Sequence, residues 1–191
     1  MADQFNRPPL RTITGFKSKL VGGGARPNLF EVELAFPDTL GIANDVIEKS
    51  RFLVKAAALP ASNITPIEVN FRGRILKIAG DRTFDTWTIT VINDTDFVIR
   101  NAFEKWMNSI NKLTDGTGLQ NPADYQKNAK VYQLDRDGST LRTYEFYDLF
   151  PTNISQIDLS YETTDTLEEF TVEMQVHWWK VIGLNGGENI E

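Results

Sequence analysis

From Pro27 the chain reads PNLFEVELAF, in which Phe30, Val32, Leu34 and Phe36 fall on one side and Glu31 and Glu33 on the other. That period of two predicts a half-buried β-strand, which Pro37 ends. A long connection, PDTLGIANDVIEKS, has room for a helical turn and precedes an apolar run, RFLVKAAALP, closed by Pro60. ITPIEVNF and GRILKIAG read as two shorter strands joined in a hairpin around Arg72-Gly73, with Pro66 suited to an edge position. In AGDRTFDTWTITVIND, Trp87, Ile89 and Val91 share one side and Thr86, Thr88 and Thr90 the other. Phe84 to Ile92 is therefore predicted as a strand with one apolar and one hydroxyl face.

The period then changes. Ile99, Phe103, Trp106, Ile110 and Leu113 recur at steps of four and three, which predicts an amphipathic helix at about 95–113. Asn93 or Asp94 would cap it, Asp96 would sit in its first turn, and Asp115-Gly116-Thr117-Gly118 would stop it. AKVYQLDR and LRTYEFYDLF flank Asp137-Gly138-Ser139, a second hairpin signal, and PTNISQIDLSY reads as a further strand. FTVEMQVHWW alternates throughout, with Phe170, Val172, Met174, Val176 and Trp178 on one face and Glu173, Gln175 and His177 on the other.

Three units follow from these patterns. Residues 1–26, with Pro8-Pro9 and Gly22-Gly23-Gly24, show no sustained period and read as a flexible N-terminal arm ending in a hinge. Residues 27–182 form the body, and 183–191 read as a disordered tail. No segment repeats and no βαβ alternation appears, so the expected fold is mainly β (α+β), an antiparallel β-sandwich or barrel with one flanking α-helix.

Composition narrows the function. At 191 residues the chain can bury roughly 70% of the surface it exposes unfolded. Cysteine is absent, which removes disulfides, thiolate metal sites and a cysteine nucleophile and makes reduced cytosol the simplest place of assembly. With 26 acidic against 20 basic residues the net charge is −6, which argues against binding nucleic acid by phosphate neutralisation. Neither a signal-peptide pattern nor a bilayer-length apolar run is found, so a soluble protein made inside the cell is expected.

Candidate chemistry is sparse. Asp81 and Asp85 flank a turn, and Asn93-Asp94-Thr95-Asp96 resembles the start of a calcium loop without its later glycine and glutamate, so turn and cap roles are expected for these acids. His177 is the only histidine, which excludes a histidine pair for a metal and favours a partly buried structural or interface role over a general base. Gly22-Gly23-Gly24 lacks the following Gly-Lys-Ser/Thr of a phosphate loop. Trp178-Trp179 would make a sugar-stacking platform if exposed, although core and interface roles are the plainer reading. A carboxylate pair for glycoside hydrolysis is not singled out. Catalytic, cofactor-binding and metal residues are therefore expected to be none, and a strand with a threonine outer face suggests a protein whose surfaces meet copies of itself.

Several stretches taken together carry a resemblance. ARPNLFEVEL (25–34), KAAALPAS (55–62), AGDRTFDTWTITVIND (79–94), the helix bearing Phe103 and Trp106, NPADYQKNAKVYQLDRDG (121–138) and FPTNISQIDLSYET (150–163) resemble the tail tube proteins of T-even-type contractile-tailed bacteriophages. The order holds from Pro27 to Trp179, whereas the N-terminal arm, the connection from Pro37 to Ser50 and the tail after Trp179 run longer than the familiar pattern.

The resemblance implies a virion structural protein assembled in the host cytoplasm into sixfold rings. The rings stack into a hollow tube inside a contractile sheath, and DNA and the tape-measure protein pass through the lumen. It implies no catalytic residue, cofactor or metal, and no membrane insertion by the chain itself. The implied partners are further copies, the sheath protein, baseplate tube-initiating proteins and the tape-measure protein, with DNA passing unbound. Pro27, Asn28 and Phe30 and a matching loop of Gly80, Asp81, Arg82 and Thr83 are the expected subunit contacts. Thr86, Thr88 and Thr90 are candidates for the lumen, since a hydroxyl face would not hold a polyanion. A baseplate initiator or a type VI secretion tube protein of the same fold remains open, as does a carbohydrate-binding sandwich.

Overall fold

The computed structural model describes residues 12–59 and 61–183. In chain order it contains α1 (Ile13–Lys19), β1 (Phe30–Leu34), α2 (Asn44–Leu53), β2 (Val54–Ala57), β3 (Ser62–Phe71), β4 (Arg74–Phe84), β5 (Trp87–Ile92), α3 (Val98–Ile110), α4 (Pro122–Tyr125), β6 (Lys127–Leu134), β7 (Thr140–Ile154), β8 (Glu169–Gln175) and β9 (Trp178–Gly183). Every strand pairing is antiparallel.

Seven strands form one sheet, ordered β1-β6-β7-β8-β5-β2 with β9 also on β7. β7 belongs to both halves. Its first part pairs with β6 and β9, and its end, from Phe150 to Ile154, pairs with β8. Between the two parts Asp148 takes a positive φ of 55°, and a bulge follows between Pro151 and Asn153. The strand thus bends from one layer of the sandwich into the other. The two end strands of the sheet, β1 and β2, do not pair with each other, so the barrel stays open along that seam.

Side chains from both layers fill the space between them. Val32 and Leu34 of β1, Trp87, Ile89 and Val91 of β5, Phe146 and Leu149 of β7, and Phe170, Val172 and Met174 of β8 are all buried. α3 adds Ile99, Ala102, Phe103 and Trp106, and Phe36 packs edge-on against both Phe103 and Trp106. The period of two in β1, β5 and β8 and the helical period in α3 are therefore the core-facing patterns expected of them.

Several boundaries differ from the sequence reading. α3 starts at Val98 rather than about 95 and stops at Ile110, because Phe97 sits at its N-cap in a left-handed conformation without a side-chain cap. Asp94 instead accepts from the Thr95 backbone and pairs with Lys49. The helical turn allowed for in the connection is a full helix, α2, which extends through Arg51-Phe52-Leu53 into the apolar run. PTNISQIDLSY is not a separate strand, since its first residues continue β7 and the rest is irregular. FTVEMQVHWW breaks at the exposed His177, so Trp178 opens β9 and does not continue the buried face of Phe170 to Val176. Within the arm, α1 makes residues 13–19 helical, with Thr12 Oγ1 accepting from Gly15 N at its cap. Residues 1–11 of the arm and 184–191 of the tail lie outside the described residues.

Candidate functional site

β3 and β4 stand apart from the sandwich as a two-stranded hairpin. Arg72 and Gly73 both have positive φ, 49° and 81°, which gives a tight two-residue turn whose twist suits a β-ribbon. The ribbon continues the β2–β5 pair outward: Ala58 N donates to Thr88 O, Asp85 N donates to Ala61 O, and Ser62 then pairs with Phe84. Ten residues of β3 at ~3.3 Å each carry the tip about 30 Å beyond the sheet.

The two faces of this ribbon differ. Ile67 faces Ile78, Val69 faces Leu76, and Phe71 completes the row at the tip. These five side chains are 42% to 64% exposed. The opposite face is mixed, carrying the Glu68–Lys77 pair at 3.4 Å and, beside Asn70, the exposed Ile75. Among the described residues each strand of the hairpin pairs only with the other, so both outer edges present bare backbone groups. A long apolar ribbon with free edges needs a covering partner.

Gly80, Asp81, Arg82 and Thr83 were expected as a loop, and they lie within β4. Thr83 pairs with Asn63 and Arg82 with Ile64, and a register shift between Ile64 and Pro66 faces Gly80. A Cβ on Gly80 would stand 2.3 Å from Thr65 O, so the strands close here only because the side chain is missing. Pro27, Asn28 and Phe30 sit elsewhere. Pro27 and Phe30 line a hollow of about 320 Å³ with Ala57, Leu59 and Val131, at the unpaired seam between β1 and β2. Arg82 and Thr83 line a different hollow, with Asp148 and His177. The two expected contact groups therefore do not form one site.

Thr86 is exposed, and Thr88 and Thr90 are half-buried on the side of β5 away from the core. Thr88 stands beside Glu173, Thr90 beside Thr171 and Ile92 beside Glu169, whose carboxylate pairs with Lys55. This outer sheet face is hydroxylic and acidic.

The remaining acids have ordinary partners. Asp94 and Asp96 both bond Lys49 Nζ, and Asp85 accepts from Asn63 Nδ2 at 3.0 and 3.2 Å. Among the described residues no group of three or more His, Cys, Asp or Glu side chains is placed to hold a metal ion. Trp178 is not an open platform, since its ring stacks on Tyr147 at 4.1 Å and 5°. Trp179 packs against Phe84 and Tyr144.

One polar cluster holds the outer face of the β6–β7–β9 layer. Glu145 meets Lys130 at 2.9 Å and Lys180 at 3.3 Å, and accepts from the Tyr147 hydroxyl at 2.7 Å. The tyrosine bond leads in lowering its carboxyl from the ordinary 4.5 to about 2; the two lysines add to the shift and burial opposes it. A carboxyl lowered on folding stabilises the fold above its unfolded value, and that contribution disappears as pH falls from 4.5 towards 2. The urea midpoint is expected to drop across this window, and Glu145→Gln is expected to flatten that part of the profile. An unchanged slope in the variant would place the acid sensitivity elsewhere.

Comparison with known proteins gives the chain a family. A family model described as phage tail tube protein matches residues 25–182. The tail tube protein gp19 of Enterobacteria phage T4 is 37% identical over 164 residues, covering 83% of this chain and 93% of that one. The chain belongs to the phage tail tube protein family. It is a structural subunit of a phage tail tube and a virion protein.

Solved structures agree on the fold. A chain of the tube-terminating cap of the anti-feeding prophage aligns at a TM-score of 0.62 and 14% identity, covering 96% of this tube subunit and 100% of that chain. A chain of the PVC sheath–tube complex, an extracellular contractile injection system in its extended state, aligns at 0.58 and 14% identity, covering 87% and 97%. The antiparallel, mainly β architecture is thus the fold expected from sequence, with the sheet left open and with α1, α2 and α4 beside the one helix expected.

The hairpin's exposed apolar row was missed from sequence. Ile67, Val69 and Phe71 alternate as a core-facing strand would, and no signal in the alternation says whether the covering layer comes from the same chain. The one usable sign was the pair Arg72-Gly73 followed directly by the basic Arg74, with no further strand in register to pack on the ribbon.

Proposed function

We propose that copies of this tail tube subunit close into hexameric rings and that the rings stack into the hollow inner tube of a contractile tail, conducting DNA into the host. The observation that carries this reading is the β3–β4 ribbon, whose apolar row and free edges are left uncovered in a single copy. Burying half-exposed aliphatic side chains contributes roughly 1 kcal/mol each. Repetition around and along a tube multiplies such a modest contact.

In this reading the role is mechanical, without catalysis or cofactor. The sheath surrounds the tube, baseplate initiators nucleate it, the tape-measure protein occupies it during assembly in the host cytoplasm, and DNA follows through the lumen. Pro27, Asn28, Phe30 and the Gly80 to Thr83 stretch belong to contacts between copies, the former at the open seam and the latter at the root of the ribbon. Residues 27–182 act as the tube domain, and 1–26 and 183–191 as accessory arms.

The face bearing Thr86, Thr88 and Thr90 lines the lumen. Its hydroxyl and carboxylate character supports this, because a lining without free cations gives a polyanion no counterion-release gain to stop it. Phage carrying Thr86→Lys, Thr88→Lys and Thr90→Lys together is expected to build tubes of normal length and to eject DNA several-fold more slowly in low salt, recovering in high salt. Ejection at the normal rate at both ionic strengths would remove this face from the lumen.

A further inference from the structure

We propose that the tip of the β3–β4 hairpin of one copy seats on the Gln156–Glu168 loop of the next copy along the tube axis, as a head-to-tail contact. This rests on the tube reading above and specifies the surface that receives the ribbon.

The two features lie at opposite ends of one sheet. β5 begins at Trp87, which pairs with Met174 beside the root of the hairpin, and ends at Ile92, which pairs with Glu169 where the loop enters β8. β7 delivers the other end of the loop from Ile154, opposite Val172. The hairpin therefore leaves along the strand axis in one direction, and the loop caps the other end. A contact between unlike ends of identical chains, directed along the strand axis, propagates as a stack when its rotation does not bring the chain back on itself.

Charge and shape match across that contact. The chain is acidic overall, yet the hairpin from Ser62 to Phe84 carries Arg72, Arg74, Lys77 and Arg82 against Glu68 and Asp81. Lys77 is paired with Glu68, whereas Arg72 and Arg74 at the turn have no carboxylate partner among the described residues. The loop carries Asp158, Glu162, Asp165 and Glu168 and no cation. It also exposes Leu159 and Leu167, at 85% and 72%, with Tyr161 fully exposed, around a surface hollow of about 360 Å³ that Leu159 and Leu167 help to line. Phe71, Arg72 and Arg74 would thus meet apolar side chains and carboxylates together, a pairing in which guanidinium–carboxylate bonds set the register and the aromatic tip supplies burial.

The native chain lacks cysteine, so proximity is directly testable. Tubes assembled from the double variant Phe71→Cys/Tyr161→Cys and then oxidised are expected to give a ladder of dimers, trimers and higher species on a denaturing gel, whereas either single variant stays monomeric. Arg72→Glu/Arg74→Glu is expected to raise the critical concentration for assembly at least about tenfold, and adding Asp158→Lys/Asp165→Lys to restore it. Polymers that form without the ladder, at a critical concentration unmoved by the arginine reversals, would overturn this contact and leave the tube reading standing. A native chain that never polymerises would overturn both.

Discussion

Changing Ile67, Val69, Phe71, Leu76 and Ile78 to threonine is expected to abolish tube formation while leaving the subunit folded. These side chains are about half exposed in one copy, so each change removes little from the monomer, within roughly 0.5 kcal/mol for a surface position. Threonine keeps the strand preference of the positions it replaces. In the assembled tube the same five side chains would each forfeit roughly 1 kcal/mol of burial, on the order of 5 kcal/mol for each copy added. That corresponds to a critical concentration raised more than about a thousandfold. Sedimentation velocity across a concentration series reads the assembly, and circular dichroism with a urea titration reads the fold. Normal polymers from this variant would show that the ribbon is not the contact, and an unfolded monomer would show that it packs at home.

The second large effect lies in the core. Trp106 is fully buried, stacks on Phe103 at 6.2 Å, meets Phe36 edge-on at 5.7 Å and donates from Nε1 to Tyr125 O at 2.7 Å. One side chain thereby ties α3 to the segment after β1 and to α4. Trp106→Ala is expected to cost about 3–5 kcal/mol through the cavity it leaves and the carbonyl it strands. Since a domain of this kind is stable by about 5–15 kcal/mol, that loss should be plain in a urea titration and accompanied by aggregation. Trp106→Phe fills most of the cavity and isolates the unpaired Tyr125 carbonyl, at about 1–3 kcal/mol. A cost for the alanine variant near that of an exposed position would mean that α3 is not anchored here.

What could be read in the chain beforehand followed from periodicity. β1, β5 and β8 alternate because one face meets the opposite layer, and α3 repeats at helical steps because one stripe meets Phe36 and the sheet. Boundaries were lost where a single residue overrides the pattern. The left-handed Phe97 delays the start of α3, and the left-handed Asp148, with the bulge beyond Pro151, lets β7 run through a proline that reads as a break. α2 begins inside the connection read as having room for a helical turn, and its extension through Phe52 and Leu53 was missed because apolar neighbours do not reveal their burial; Phe52 proves exposed.

The candidate site was less legible, for a different physical reason. Alternation reports that a face is covered and does not report which molecule covers it. Ile67 and Val69 have the same local pattern as Ile89 and Val91, yet the first pair is exposed and the second buried. Gly80 signalled a special position, and its role is close approach to Thr65 O inside a strand, where a loop contact was expected. Conversely, Trp178-Trp179 invited a binding role that local stacking on Tyr147 and packing on Phe84 already satisfy.

Assembly of identical copies through surfaces left bare in one copy is the central claim, and electron microscopy of the purified chain tests it most directly. With a baseplate or a preformed ring as nucleus, the field should fill with hollow rods of uniform width, six copies in each layer. A chain that stays single at every concentration with such a nucleus present, or that grows into solid fibres without a channel, would contradict the account.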